Sequence, residues 1–289
     1  MGRGWVVGIA LGAALVGCGL DFVVAIEPEP APSATTSTSR PPPPPPPKDA
    51  EVDAAPPVDA ADAGPNPDDV SVSYVLASGK LYSFTVPGHT FVALTSTACP
   101  YSGEVAVFDD GTVYVAGDYV LTKWAPNVGC TEVARSSVQL PASLATAIVA
   151  GKEELVGYVG MQFVSIDRTT AARTILTSDA LVNVGFPGDL TRLGRRLFVT
   201  INAYGAKCEG AYDCVVEVGP DGRPLVPPSK QSMAPFTGLS HSGGKLLAFG
   251  SDKVIAIDPT TLAVGTAVAA EPAFSYPSGA AAPAFPPRR

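Results

Sequence analysis

The chain predicts an all-β, β-propeller-like fold of about five blades, and three observations carry that prediction. The first is an ungapped internal repeat: Phe163-Val164-Ser165-Ile166-Asp167-Arg168-Thr169-Thr170 returns as Val254-Ile255-Ala256-Ile257-Asp258-Pro259-Thr260-Thr261 at an offset of 91, and Leu155-Val156-Gly157-Tyr158 returns as Leu246-Leu247-Ala248-Phe249 at the same offset. The second is a shorter spacing. Val113-Tyr114-Val115 precedes Leu155-Val156-Gly157 by 42, Leu197-Phe198-Val199 follows it by another 42, Leu246 comes 49 after Leu197, and Tyr74 lies 40 before Tyr114. The third is that these runs are continuously apolar rather than alternating, so both faces of each strand are covered. A unit of roughly 40 residues is too thin to bury its own faces and needs a neighbour stacked on each side. Strands are expected in equivalent places near 72–77, 112–117, 154–159, 196–201 and 245–250. A β-sandwich made by hairpin duplication is the alternative architecture.

Each repeat has a physical punctuation. Val254 to Ile257 is short and β-branched, and Asp258-Pro259 places Asp and Pro at the first two positions of a type I turn, which ends the strand. In the fourth copy the first strand lies 49 before its counterpart, whereas Val215 to Pro220 lies only 39 before Val254 to Pro259, so ten residues are inserted between its strands. Trp124 falls at the position of Ile166 and Ile257 and reads as a core residue. Tyr276-Pro277-Ser278-Gly279-Ala280 can return to supply the missing first strand of blade one, which would remove an open sheet edge.

The phrase from Gly244 to Thr261 resembles the blade repeat of the quinoprotein-like propellers, and the resemblance covers residues 70 to about 268. The domain is expected over 70–285, with 286–289 as a tail. The tryptophan docking motifs of quinone-dependent dehydrogenases have no counterpart at the matching positions.

The N-terminus has a short positive start, an apolar stretch from Trp5 to Val16, then Leu15-Val16-Gly17-Cys18. It resembles a bacterial lipoprotein signal peptide, residues 1–18. That resemblance implies a lipidated Cys18 as the mature N-terminus, and Gly19 rather than Asp after it implies the outer membrane. Stable anchoring takes more than one acyl chain. The expected address is the cell envelope, with the membrane engaged through the lipid and no transmembrane helix.

Residues 19–69 read as a disordered, acidic, Pro-rich tether, with seven consecutive prolines from Pro41 to Pro47. Segment 27–69 carries nine acidic residues against Arg40 and Lys48, a net of −7 out of the chain's −8. From Val70 onward 16 basic residues nearly balance 17 acidic ones, so the domain has no electrostatic footprint for nucleic acid.

Four cysteines follow the lipid site, and an even number in an exported chain points to disulfides with three possible connectivities. Cys208 and Cys214 flank a short stretch of the blade-four insertion and are the easy pair. Cys99 and Cys130 remain, but the strand assignment puts them on opposite faces of the ring, so that pairing stays open. No pair has zinc-site spacing, and no metal site is expected.

Catalytic signatures are missing too. The two histidines, His89 and His241, sit in no ligand motif, and Gly238-Leu239-Ser240-His241-Ser242-Gly243 misses the G-x-S-x-G pattern by one residue and reads as a polar inter-blade loop. Asp109-Asp110-Gly111 reads as an ordinary turn, Asp167 and Asp258 as turn residues, and Arg195-Arg196 as a solvated strand end. No catalytic residue and no cofactor are expected. The expected function is protein or ligand binding or scaffolding, similar to the propeller lipoprotein of the outer-membrane barrel-assembly machinery, which works by protein contacts. A quinone-dependent oxidoreductase is the alternative. The expected contact is the insertion, through Tyr204, Lys207, Glu209 and Tyr212, because insertions in repeat proteins map to loops on one face.

Overall fold

The computed structural model describes residues 72–86, 88–95, 99, 103–202, 213–227, 236–271, 273 and 277–283. Cys18, the 19–69 segment, Cys208 and the four expected contact residues Tyr204, Lys207, Glu209 and Tyr212 lie outside them. Among the described residues every named element is a strand. In chain order these are β1 (Ser73–Ala77), β2 (Lys80–Thr85) and β3 (Thr90–Ala93), then β4 (Glu104–Val107), β5 (Val113–Ala116), β6 (Val120–Ala125) and β7 (Gly129–Arg135). Next come β8 (Leu144–Val149), β9 (Lys152–Val159), β10 (Gln162–Ile166) and β11 (Arg173–Thr177), followed by β12 (Phe186–Leu193), β13 (Arg196–Asn202) and β14 (Cys214–Val218). The last are β15 (Gly238–Ser242), β16 (Lys245–Phe249), β17 (Lys253–Ile257), β18 (Val264–Ala269) and β19 (Pro277–Ala281).

They form five antiparallel sheets: β19-β1-β2-β3, β4-β5-β6-β7, β8-β9-β10-β11, β12-β13-β14 and β15-β16-β17-β18. This is a five-bladed β-propeller. The strands expected to be equivalent, β1, β5, β9, β13 and β16, each take second place in their sheet. Their register matches as well: Leu155 pairs with Ile166, Leu246 with Ile257, Leu197 with Val218 and Val113 with Trp124. β19 closes blade one by pairing Tyr74 with Ala281 and Leu76 with Gly279.

The core explains why the second strands are apolar on both faces. Among the described residues five buried clusters are each made by two adjacent blades: one and two around Leu76, Val105 and Trp124, two and three around Phe108, Leu121 and Leu155, three and four around Tyr158, Phe163 and Val199. Blades four and five meet around Phe198, Leu239 and Ile255, and blades five and one meet around Phe84, Phe249 and Val75, which completes the ring. A strand sandwiched in this way has no solvent face to mark with polar residues.

The repeat extends to its turns. Asp167 Oδ1 accepts the amides of Thr169 and Thr170 at 2.8 and 2.7 Å, and Asp258 Oδ1 accepts those of Thr260 and Thr261 at 2.9 and 3.0 Å. Each turn then ends on a residue with φ of 55°, Ala171 and Leu262. Among the described residues of blade four three strands pair in full, and the isolated bridge Val218–Pro224 lies beyond β14.

One open pairing is settled, and two expectations need correction. Cys99 and Cys130 are joined by a disulfide with Cα atoms 5.3 Å apart, although strand order alone puts them on opposite faces. Strands in a sheet rotate by roughly 20–25° each, so after three steps an outer strand has turned far from the ring axis, and its trailing end meets the leading end of the next. Consistent with this, Leu94 and Cys130 pack on the same cluster between blades one and two. Gly238 to Ser242 is not a loop but β15, the fully buried innermost strand of blade five. Arg196 is not a solvated strand end: it makes two bonds to Glu217, at 2.8 and 2.6 Å, donates to Pro259 O at 2.8 Å, and lies 4.8 Å over the Phe198 ring.

Candidate functional site

The innermost strands are β19, β4, β8, β12 and β15, and their beginnings surround one end of the central channel. A cavity of about 580 Å³ opens there, reached by Ser278, Glu104, Ala142, Asp189 and Thr237, one from each blade's inner strand or the residue leading into it. Phe186, Pro187, Phe236 and Pro277 give it apolar walls, and Thr200, Asn202 and Asp213 add polar groups. A smaller cavity of about 220 Å³ adjoins it and shares Glu104, Ala142 and Ser278. Concave, largely apolar space with a few convergent polar groups is the usual form of a ligand site.

Two acids line the larger cavity. Asp189 is 2% exposed, and its Oδ2 accepts the amides of Leu239 on β15 at 2.5 Å and Ala280 on β19 at 2.9 Å, while Oδ1 accepts that of Leu190 at 2.7 Å. One carboxylate thus satisfies the inner edges of two other blades, which have no further strand to pair with. It is aimed there by a register shift in the pairing of β12 with β13 between Pro187 and Leu190, a bulge that turns a side chain out of its ordinary alternation. Gly188 permits the bulge, since a Cβ there would lie 2.4 Å from Thr200 Oγ1.

Glu104 is 7% exposed, and its Oε2 has no hydrogen-bond partner. Gly103 lets its strand approach β5, where a Cβ would meet Ala116 O at 1.6 Å, and Gly279 leaves the space in which the carboxyl sits. Burial pushes the Glu104 carboxyl well above its usual range, and the Asp189 charge and a shared hydrogen bond add to that. Burial also raises Asp189, to about 7, against the bonds it accepts from Glu104 and the three amides. Burial and the nearness of the two carboxyls thus both disfavour a second negative charge on the pair. Asp213, on the cavity wall, is raised by burial while its Oδ2 accepts the Phe236 amide at 3.1 Å.

The described cysteines, the histidines and the turn acids do not line the cavity. Cys214, at the start of β14, is disulfide-bonded. His89 occupies a turn at φ 46°, and His241 is fully buried on β15. The described ends of the insertion, Asn202 and Asp213, line the cavity. Among the described residues no group of three or more His, Cys, Asp or Glu comes together as a metal site.

Sequence reasoning missed Glu104 and Asp189. A signal existed: each follows glycine, as Gly103-Glu104 and Gly188-Asp189, with Glu104 opening β4 and Asp189 at the bulge of β12.

No protein-family model matches the chain, and no curated protein matches it in sequence. Among solved structures it is similar to a chain in the crystal structure of a nidogen/laminin complex, at 13% identity and a TM-score of 0.48, covering 73% of this chain and 98% of that one.

Proposed function

We propose that the protein is a lipid-anchored envelope protein of the outer membrane that works by binding, with the cavity at the beginning of the inner strands as its binding site. The carrying observation is that all five blades deliver a residue to one open cavity with apolar walls and buried polar groups. The anchor rests on the lipobox-like sequence ending at Cys18. A rigid ring displayed beyond a long acidic tether suits capture of a partner away from the lipid surface.

The test places a photo-reactive phenylalanine analogue at Phe186, on the cavity wall, and in a control at Val128, which is 72% exposed in the turn before β7. Crosslinks specific to position 186 support the reading, and equal yields at both positions overturn it. Stoichiometric uptake of a quinone cofactor with calcium and dye-linked turnover would replace binding with oxidoreduction. Cys18→Ser should release the chain from the membrane fraction, and unchanged retention would remove the anchor. Contact through Tyr204, Lys207, Glu209 and Tyr212 is a separate proposal, tested by Tyr204→Ala with Tyr212→Ala in the same crosslinking.

A further inference from the structure

We propose that the cavity takes an organic cation, an ammonium or guanidinium group, seated against the Glu104–Asp189 carboxyl pair. This rests on the reading of the cavity as the binding site. Three carboxyl groups line it, those of Glu104, Asp189 and Asp213, and no Lys, Arg or His does among the described lining residues. An acidic cluster alone would say little, since acids can be satisfied by their own surroundings. Here Glu104 is 93% buried, lines both adjoining cavities, and leaves Oε2 without a donor. An unsatisfied buried acceptor is costly, and a ligand that supplies N–H donors and positive charge removes that penalty.

The shape of the site favours an organic cation over a metal ion. Calcium takes six to eight oxygen ligands, whereas no set of three ligating side chains converges among the described residues. Phe186, Phe236, Pro187 and Pro277 supply the apolar contact that an alkyl stem needs, and a cation is also attracted to an aromatic face. The smaller cavity beyond Glu104, bordered by Asp118, extends the acidic lining past the carboxyl pair. On binding, the cation favours the ionised form of both acids, so a proton held by the pair leaves to solvent.

The cation has two sources, a free amine or a basic side chain of a partner protein, and both can be offered to the full chain in detergent by titration calorimetry. The probes are agmatine and a capped arginine peptide, with the citrulline peptide as the uncharged counterpart and calcium chloride as the metal. Saturable heat is expected from one or both cations but not from citrulline, with an enthalpy that changes between buffers of different ionisation heat as protons are released. Glu104→Gln should weaken binding at least tenfold, and Asp213→Asn, which leaves the carboxyl pair intact, by a smaller factor. Equal binding of citrulline, undiminished binding to Glu104→Gln, displacement of the cation by calcium, or no binding of either cation would overturn the inference. If crosslinks from position 186 persist while the cations fail to bind, the cavity keeps its role and only the cation is lost.

Discussion

The two ends of the inner-strand ring hold the same kind of charge and treat it in opposite ways. Where the inner strands end, Arg192 on β12 is 3% exposed and reaches Glu153 at 2.8 Å, Asp109 at 3.1 Å and Gly194 O at 2.7 Å. Asp109 N in turn donates to Glu153, so one cation organises two acids from blades two and three. Where the inner strands begin, Glu104 and Asp189 also come from different blades, but no cationic side chain stands among the described residues that line their cavity, and burial disfavours their charged forms. Each end leaves one buried acid oxygen without a partner, Asp109 Oδ1 and Glu104 Oε2, but Arg192 clamps the first set of acids whereas the second borders a cavity with no cationic side chain among its described lining residues. The first is a structural joint, and the second is where we propose that a ligand binds.

The largest expected effect comes from breaking the finished end. Arg192→Met leaves two part-buried carboxylates with no cation, and removing one partner of a buried ion pair costs on the order of 3–5 kcal/mol. Because Asp109 and Glu153 keep side-chain exposures of 32% and 19%, the expected loss in urea unfolding is about 3 kcal/mol. A loss under about 1 kcal/mol would mean that water, not Arg192, satisfies these acids.

Next comes the space for Glu104. A Cβ on Gly279 would stand 2.3 Å from Glu104 Oε2 and 3.1 Å from its Cα, so Gly279→Ala forces the carboxyl or β19 to shift. Overpacking of this kind costs about 2 kcal/mol. Combining it with Glu104→Ala should recover part of that loss in the same unfolding experiment, because the contact is removed, while strict additivity would place the strain elsewhere.

A smaller effect tests the acid pair through pH. The folded-state values of Glu104, Asp189 and Asp213 are all raised, so the stability they contribute is fully present below the unfolded carboxyl range and is lost as pH rises through the folded values, about 7 for Asp189. Asp110, Asp167 and Asp258 are depressed, and their contribution is lost only as pH falls below that range. Unfolding free energy should therefore decline between roughly pH 4 and pH 8, and Glu104→Gln should flatten the slope and add about 1 kcal/mol at pH 8. A slope unchanged in Glu104→Gln would remove the coupling.

The smallest effect is the exposed counterpart. Lys245 pairs with Asp258 in the open, with half its side chain exposed, so Lys245→Ala should change stability by under about 0.5 kcal/mol and raise the Asp258 titration seen by NMR. Asp167, the twin 91 residues earlier, should not move.

Local chemistry made most of the fold legible. A β-branched run followed by Asp and a turn residue specifies a strand and its end wherever it occurs, so the repeats located the second strand of each blade, while closure of blade one near Pro277 stayed an open possibility that the structure realises. Ring geometry was less legible. The Cys99–Cys130 bond depends on how far outer strands rotate, a property of four strands acting together that no offset along the chain records. Gly238 to Ser242 reads as a loop because its composition is polar, yet it is an inner strand whose neighbours satisfy it, Ser240 Oγ meeting Ser73 Oγ at 3.0 Å across 167 residues.

The sequence by itself determined the all-β class, the five second strands, their double-sided burial and the twin Asp turns, because each depends on residues within one hairpin. Only the tertiary structure decided which acids meet a cation and which meet each other. Glu104 and Asp189 belong to different blades, and Asp189 bonds an amide 91 residues away. Closing the ring brings them together, and burial at that junction, where water solvates the two groups poorly, disfavours their charged forms.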